Sequence, residues 1–319
     1  MRNALLDPEA LAALRLRNRL QTGLLLAGMF ALAAALAHLL LGPEWAPWLA
    51  FSLFLGLLAA PRLSPAWLMR LSGATRLTPA QAPQLYALLE ALAGRAQLER
   101  VPDLYLVPRG LANAFAVGRR SGAAIAVTSG LLRTLTASEL AGVLAHEVAH
   151  VQHDDMRVML LAEIVARLTA SSAQLGSLLL LINLPLVATG RVHISWGGVA
   201  LLMASPGLSV LLQLALARSR ERQADLEAAR LTGQPRALAS ALRKLGEIEE
   251  SLLERLFRHR HGPKSTWLRT HPDTDERVRN LLALEAAPEP AAPWLDEEDL
   301  AFLARNLPQL RRERPWYLR

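Results

Sequence analysis

The stretch Leu144–Asp155, "LAHEVAHVQHDD", sets three histidines, a glutamate and two aspartates into a run otherwise made of leucine, alanine, valine and glutamine. Such a composition predicts a helix, and on a helix residues four apart share one face, about one turn from each other. His146 and His150 are four apart, and Glu147 lies beside them. This is the H-E-x-x-H arrangement. Two imidazoles can take two corners of a tetrahedral zinc, and the carboxylate falls next to the open corner, where it can take a proton from water. The same letters also fit a polar stripe on an ordinary helix, so the choice turns on a third ligand.

His153 is the nearest candidate, but it could reach the same metal only if the helix broke after His150, and no glycine stands between them. His153, Asp154 and Asp155 are therefore read as solvated or helix-end residues. A better candidate lies further on, in "ARSRERQADLEAARLTG" from Ala217. There Glu221 and Asp225 are again four apart on an expected helix, so one carboxylate can face a metal while the other accepts the free N–H of a ligand histidine. Glu227, off that face, is read as solvated.

Outward from these two helices, composition narrows the class. Of 319 residues, 52% are apolar, and the mean hydropathy is +0.22, more than a soluble globule of this size carries. There is no cysteine, which excludes disulfides, thiolate ligands and a cysteine nucleophile, so any metal must be held by His, Asp or Glu. The net charge of +7 comes almost wholly from scattered arginines, Lys244 and Lys264 being the lysines. A nucleic-acid partner would need a clustered basic face, and none is expected.

Four uncharged runs organise the chain: residues 20–41, 45–60, 168–190 and 192–217, the last two parted by Arg191. The first is long enough to cross a hydrocarbon core of about 30 Å, and the second is short for a span. The later pair carries Ser171, Ser172, Gly176, Gly197 and Gly198, small residues suited to close packing in lipid. Arg2, Arg15, Arg17 and Arg19 precede the first run, Arg62, Arg70 and Arg76 follow the second, Arg157 and Arg167 precede the third, and Arg218, Arg220 and Arg222 follow the fourth. The positive-inside tendency then puts both termini and the middle segment in the cytoplasm. The first run is too long for a cleaved signal and is read as a retained helix.

The expected organisation is a transmembrane hairpin over 1–69, a cytoplasmic subdomain over 70–157, a second transmembrane hairpin over 158–217, a C-terminal catalytic part over 218–286, and a linker with a helical tail over 287–319. Within 70–157 a helix is expected with Thr78 as cap and Pro79 at its first position. "DLYLV", "AFAVG" and "AAIAVT" then read as strands of a small antiparallel sheet. The H-E-x-x-H helix follows, capped by Thr136 or Ser138. The fold class is α+β and mostly helical, in an integral membrane protein with about four transmembrane helices. If both ligand helices run unbroken into the spans, the metal lies about 5–15 Å above the hydrocarbon edge, and Glu163 and Arg167 pair near that boundary.

The order of "LANAFAVG", then "HEVAH" before an apolar hairpin, then "RSRERQAD" after it, then "THPDTDERVRNL", resembles the HtpX-like membrane metalloproteases, relatives of the CAAX prenyl endopeptidases. The resemblance covers roughly Thr78 to Leu282 and the hairpin before it. It implies a zincin-type catalytic domain with one Zn²⁺ per chain held by His146, His150 and Glu221, with Glu147 as general base and Asp225 as the carboxylate behind a ligand. It implies that Asn113 and His271 hold the scissile carbonyl and that Arg277 is a basic residue near the site. His271 also reads as part of a helix start, with Asp273 as cap. The implied activity is a zinc-dependent endopeptidase of the prokaryotic inner membrane, cleaving cytoplasmic or juxtamembrane segments of damaged membrane proteins. The tail from Trp294 does not map onto the family pattern. A membrane scaffold or chaperone-like protein with a degenerate protease site is the alternative. A zinc transporter would need a polar path through the spans, where only His38, Asn183 and Gln213 stand out.

Overall fold

In the computed structural model the described residues are 8–42, 64–191, 195–257 and 274–284. The expected span over 45–60, His271 and the tail over 287–319 lie outside them. In chain order the elements are α1 (Pro8–Leu41), α2 (Pro65–Leu71), β1 (Thr75–Arg76), α3 (Pro83–Arg95), β2 (Asp103–Val107), β3 (Ala114–Arg119), β4 (Gly122–Thr128), α4 (Ser129–Thr134), α5 (Ala137–Gln152), α6 (Asp155–Ala188), α7 (Trp196–Thr232), α8 (Pro235–Phe257) and α9 (Thr274–Leu282). They fall into two compact units, one within Leu63–Met156 and from Glu221 onward, the other within Leu14–Arg62 and Arg157–Arg220.

The first unit is built around a four-stranded sheet of order β1-β2-β4-β3. The antiparallel sheet expected from sequence is in fact mixed. β3 and β4 form the antiparallel hairpin across Arg120 and Ser121, but β4 then pairs in parallel with β2, from Asp103↔Ala124 to Val107↔Thr128. The physical reason lies in side-chain alternation. β2 and β4 are apolar on both faces and so take the inner positions, while half-exposed β3 takes an edge. Leu104, Leu106, Ile125 and Val127 face a core shared with Leu85, Leu89, Leu140, Leu144, Val148 and Leu238 of the helices. Tyr105, Val107, Ala124 and Ala126 face the other way, onto Met69 of α2.

α3 begins four residues later than the expected Pro79. The backbone N–H of Thr78 donates to Gln81 Oε1 at 2.9 Å, closing a turn, and the second proline, Pro83, opens the helix. α5 begins where expected. Thr136 caps it in a reciprocal box with Glu139, so of the two candidate caps Thr136 is the one used. Glu139 is buried and also accepts from Ser240 Oγ at 2.6 Å and Lys244 Nζ at 2.7 Å, both on α8. Burial alone would raise its pKa, but these bonds and that of the Thr136 N–H outweigh it and hold the carboxyl below its usual range. The two helices can approach so closely because Gly142 faces Leu238. A Cβ there would stand 3.2 Å from the Leu238 backbone.

The second unit packs α1, α6 and α7 as apolar helices. Met29 and Ala33 meet Leu161, Ala162, Val165 and Leu216. Further along, Leu36 meets Ala173 and Leu202, with Gly176 leaving room for the Leu202 side chain. Leu181, Ile182 and Leu211 point outward and are exposed. Three helices among the described residues are long and apolar enough to cross a membrane: Leu16–Leu40, Asp155–Ala188 and Trp196–Thr232. Glu163 accepts from Arg167 Nε at 2.6 Å, as its spacing predicts, and also from Gln213 Nε2 at 2.6 Å on α7.

Candidate metal centre

Three elements of the first unit converge on the H-E-x-x-H face. α5 contributes His146, Glu147 and His150, the C-terminal part of α7 contributes Glu221 and Asp225, and α9 contributes Arg277. α5 is held in place by its capping box and by Leu140, Leu144 and Val148 in the core, so its opposite, polar face is fixed in direction. α7 anchors by Ala228, Ala229 and Leu231 in the same core.

The geometry is tight. His146 Nε2 and His150 Nε2 stand 3.0 Å apart with their rings near perpendicular, at 89°. Glu221 Oε2 lies 3.4 Å from His146 Nε2, and Glu221 Oε1 lies 3.7 Å from His150 Nε2. One ligand atom from each of the three residues falls within 4.8 Å of the others. Both Nδ1 atoms point away from this cluster onto carboxylates, His146 at 3.0 Å from Asp225 Oδ1 and His150 at 2.7 Å from Asp155 Oδ2. A carboxylate accepts only, so in the neutral imidazole Nδ1 of His150, hydrogen-bonded to Asp155, and Nδ1 of His146, facing Asp225, are the nitrogens placed to carry the proton, which leaves Nε2 of each ring to present a lone pair. Two lone pairs and a carboxylate facing one another repel unless a cation lies among them. The residues therefore fit a divalent metal by the chemistry of their donor set.

Protons feel the same field. Burial disfavours the charged form of His146, but its hydrogen bonds to Asp225 and Glu221 outweigh burial and raise its pKa to about 10. Arg277 is buried and closes the back of the site. It donates from Nε to Asp225 Oδ2 and from Nη2 to Asp225 Oδ1, each at 2.7 Å, and its Nη1 lies 2.8 Å from Glu221 Oε2. Burial works against its charge, yet Asp225, Glu221 and Glu147 together raise its pKa above the ordinary value. Glu147 is half-buried and belongs to this field.

Of the residues singled out from sequence, the structure brings together His146, His150, Glu221, Asp225 and Arg277, with Glu147 alongside. Asn113 stands just before β3. Its backbone is pinned on both sides, N–H to Thr128 Oγ1 at 2.9 Å and C=O accepting from the Thr128 N–H at 3.0 Å, and the residue is exposed. His271 lies outside the described residues, three positions before α9 begins at Thr274. His153 caps the end of α5 and is no part of the three-residue group.

Asp155 corrects the sequence reading. It is a helix-end residue, the first of α6, but it is not solvated: it is 3% exposed and bonds to His150. The α5 helix does break after His150 despite the missing glycine: Asp154 takes the left-handed conformation, with φ of 52°, and α6 starts afresh at Asp155. Aspartate is among the few side chains that tolerate this region, and that was the signal available in the sequence.

Comparison with known proteins agrees with this chemistry. The family model for Peptidase family M48 matches residues 79–285. The chain is 42% identical over 220 residues to the Protease HtpX homolog of Acaryochloris marina, covering 64% of this chain and 73% of that protein. It is 35% identical over 224 residues to the Protease HtpX homolog of Methylibium petroleiphilum, covering 64% and 76%. To that of Ralstonia pickettii it is 34% identical over 222 residues, covering 64% and 74%.

Proposed function

The chain belongs to peptidase family M48, and from that premise we propose that it is a membrane-bound zinc endopeptidase that cleaves cytoplasmic or juxtamembrane segments of damaged membrane proteins. It is a metallopeptidase, its substrates are polypeptides, and its apolar helices imply a lipid bilayer. The observation that carries the reading is the pair of imidazole Nε2 atoms facing each other at 3.0 Å beside the Glu221 carboxylate.

His146, His150 and Glu221 would hold one Zn²⁺, which when bound supplies Lewis acidity that makes water a nucleophile near neutral pH. Glu147, one residue from His146, takes the proton of the attacking water and passes it to the departing amine as the C–N bond breaks. Asn113 and His271 donate hydrogen bonds to the oxygen of the scissile carbonyl. Asp225 holds His146 through Nδ1, and Arg277 holds Asp225 by two parallel bonds, so that the Glu221 carboxylate and the His146 ring keep one orientation.

β3 is the strand best suited to an extended peptide. Asn113 and Thr128 exchange a backbone bond, so every second residue from Asn113 turns its peptide groups toward β4. Ala114, Ala116 and Gly118 then turn theirs to the open edge. The Gly118 N–H is engaged by Met156 Sδ at 3.5 Å, which leaves Ala114 and Ala116 for a substrate backbone. Pairing of this kind supplies affinity with little side-chain selection, as a protease acting on varied unfolded segments requires. The location we infer is a prokaryotic plasma membrane, and the arginine bias around the apolar runs supports an orientation with the catalytic unit and both termini in the cytoplasm.

The test is cleavage of an unfolded reporter and of a membrane protein carrying a permissive cytoplasmic segment, by the detergent-purified chain. Proteolysis that stops with a chelator, returns with zinc and clusters near the cytoplasmic boundary is expected. Chelator-resistant cleavage, or none with zinc restored, would sink the proposal and favour the scaffold alternative. Cuts confined to the opposite side of the membrane would overturn the topology alone.

A further inference from the structure

Resting on the zinc reading above, we infer that Asp155 is a positioning residue for the metal, fixing the tautomer and the ring plane of His150 through the helix break at Asp154. His146 and His150 sit in one helix and offer the same atom inward, but they need separate supports on the outward side. For His146 that support is Asp225, itself clamped by Arg277. For His150 it is Asp155, 2.7 Å from Nδ1.

An aspartate five residues after a histidine cannot serve it on a continuous helix, since five steps carry it roughly 140° around the axis. The chain solves this by ending α5 at Gln152 and turning Asp154 left-handed, at φ of 52°. The first residue of α6 is thereby brought back beneath the last turn of α5, where its carboxylate is 3% exposed. The half-buried His150 ring, with 21% of its side chain exposed, would otherwise be free to flip or to present Nδ1. With Asp155 in place, the proton stays on Nδ1 and the lone pair on Nε2, pointed at His146 Nε2 and Glu221. A carboxylate held on the outward nitrogen also keeps the ring plane aimed so that Nε2 faces a cation.

The experiment uses the full-length chain in detergent, and its main readout is metal affinity, with no assay of turnover. Zinc dissociation constants are measured by competition with a chromophoric chelator, and Co²⁺ is substituted to record visible absorption bands, for wild type, Asp155→Ala, Asp155→Asn and His150→Ala. Asp155→Ala is expected to weaken zinc binding about 10- to 100-fold and to shift the Co²⁺ bands. Asp155→Asn keeps an acceptor oxygen without the charge and is expected to fall between Asp155→Ala and wild type. Wild-type affinity and spectrum in Asp155→Ala would overturn the assignment. If the alanine variant does not fold, the same outcome in Asp155→Asn would overturn it. If wild type binds no zinc, or His150→Ala binds it as tightly, what fails is the zinc reading itself.

Discussion

α5 and the end of α7 each bring two site residues four positions apart, yet the same interval does different work on each helix. On α5 it delivers two equivalent donors, His146 and His150, whose Nε2 atoms meet at 3.0 Å. On α7 it separates two jobs: Glu221 faces the imidazoles, while Asp225 sits behind His146 and is gripped by Arg277. The difference teaches that spacing sets which residues share a face, while the partners they meet decide what each one does. Imidazoles four apart can converge because their rings reach toward a common point. Carboxylates four apart share one guanidinium here, Nη1 to Glu221 and the Nε/Nη2 fork to Asp225, and differ in the imidazole atom each meets, Nε2 for Glu221 and His146 Nδ1 for Asp225.

The largest expected effect separates chemistry from metal retention on α5. Glu147→Gln keeps size and removes the base, so turnover should fall about 10³- to 10⁴-fold. Zinc content measured by atomic emission should stay near that of wild type. Loss of the metal would mean that α5 contributes three ligands rather than two.

Next comes the partner that divides the labour on α7. Arg277→Ala leaves buried Asp225 and part-buried Glu221 without their guanidinium partner, at a cost of about 3–5 kcal/mol of stability. Thermal unfolding in detergent would show the loss, and added zinc should recover part of it by compensating Glu221. Equal losses with and without zinc would break the contrast between the helices, since the guanidinium would then serve packing alone.

A smaller effect tests how firmly α5 is anchored at its start. Glu139→Gln should cost about 1–3 kcal/mol through weaker bonds to Lys244 and the Thr136 N–H. The sign with pH follows from its lowered pKa. Its stabilisation is fully present above the ordinary carboxylate range and is lost as pH falls through the depressed folded value. Wild type should therefore lose stability on acidification more steeply than Glu139→Gln, and parallel acid limbs would refute this.

The smallest effect lies at the other end of the same helix. His153→Ala should leave zinc content and turnover within about twofold, because His153 caps α5 outside the three-residue group. A loss of zinc would place it among the ligands.

The donor cluster itself was legible in the sequence, because helical periodicity alone brings His146 and His150, and Glu221 and Asp225, onto single faces. Asp155 was not, since its place depends on a backbone reversal at Asp154, and a break in so apolar a helix suggests glycine first. The parallel pairing of β2 with β4 was hidden for a related reason. Hairpin logic reads neighbours in sequence as neighbours in space, whereas β2 and β4, apolar on both faces, take the inner positions and leave half-exposed β3 at the edge. β1 has two residues, Thr75 and Arg76, and carries no alternation to read. Thr78 and Pro79 resembled a helix start as closely as Ala82 and Pro83 did, and the Gln81 side chain decided between them.

The second unit's residues Arg157–Arg220 interrupt the first between Met156 and Glu221. During synthesis the histidines therefore leave the ribosome long before the carboxylate that completes their cluster. At roughly 5–20 residues per second the delay lasts several seconds, and over that time two long apolar helices are being made. Arg277 comes later still. The nascent chain is thus an incomplete enzyme until α6 and most of α7, both long and apolar enough to cross a membrane, have been translated.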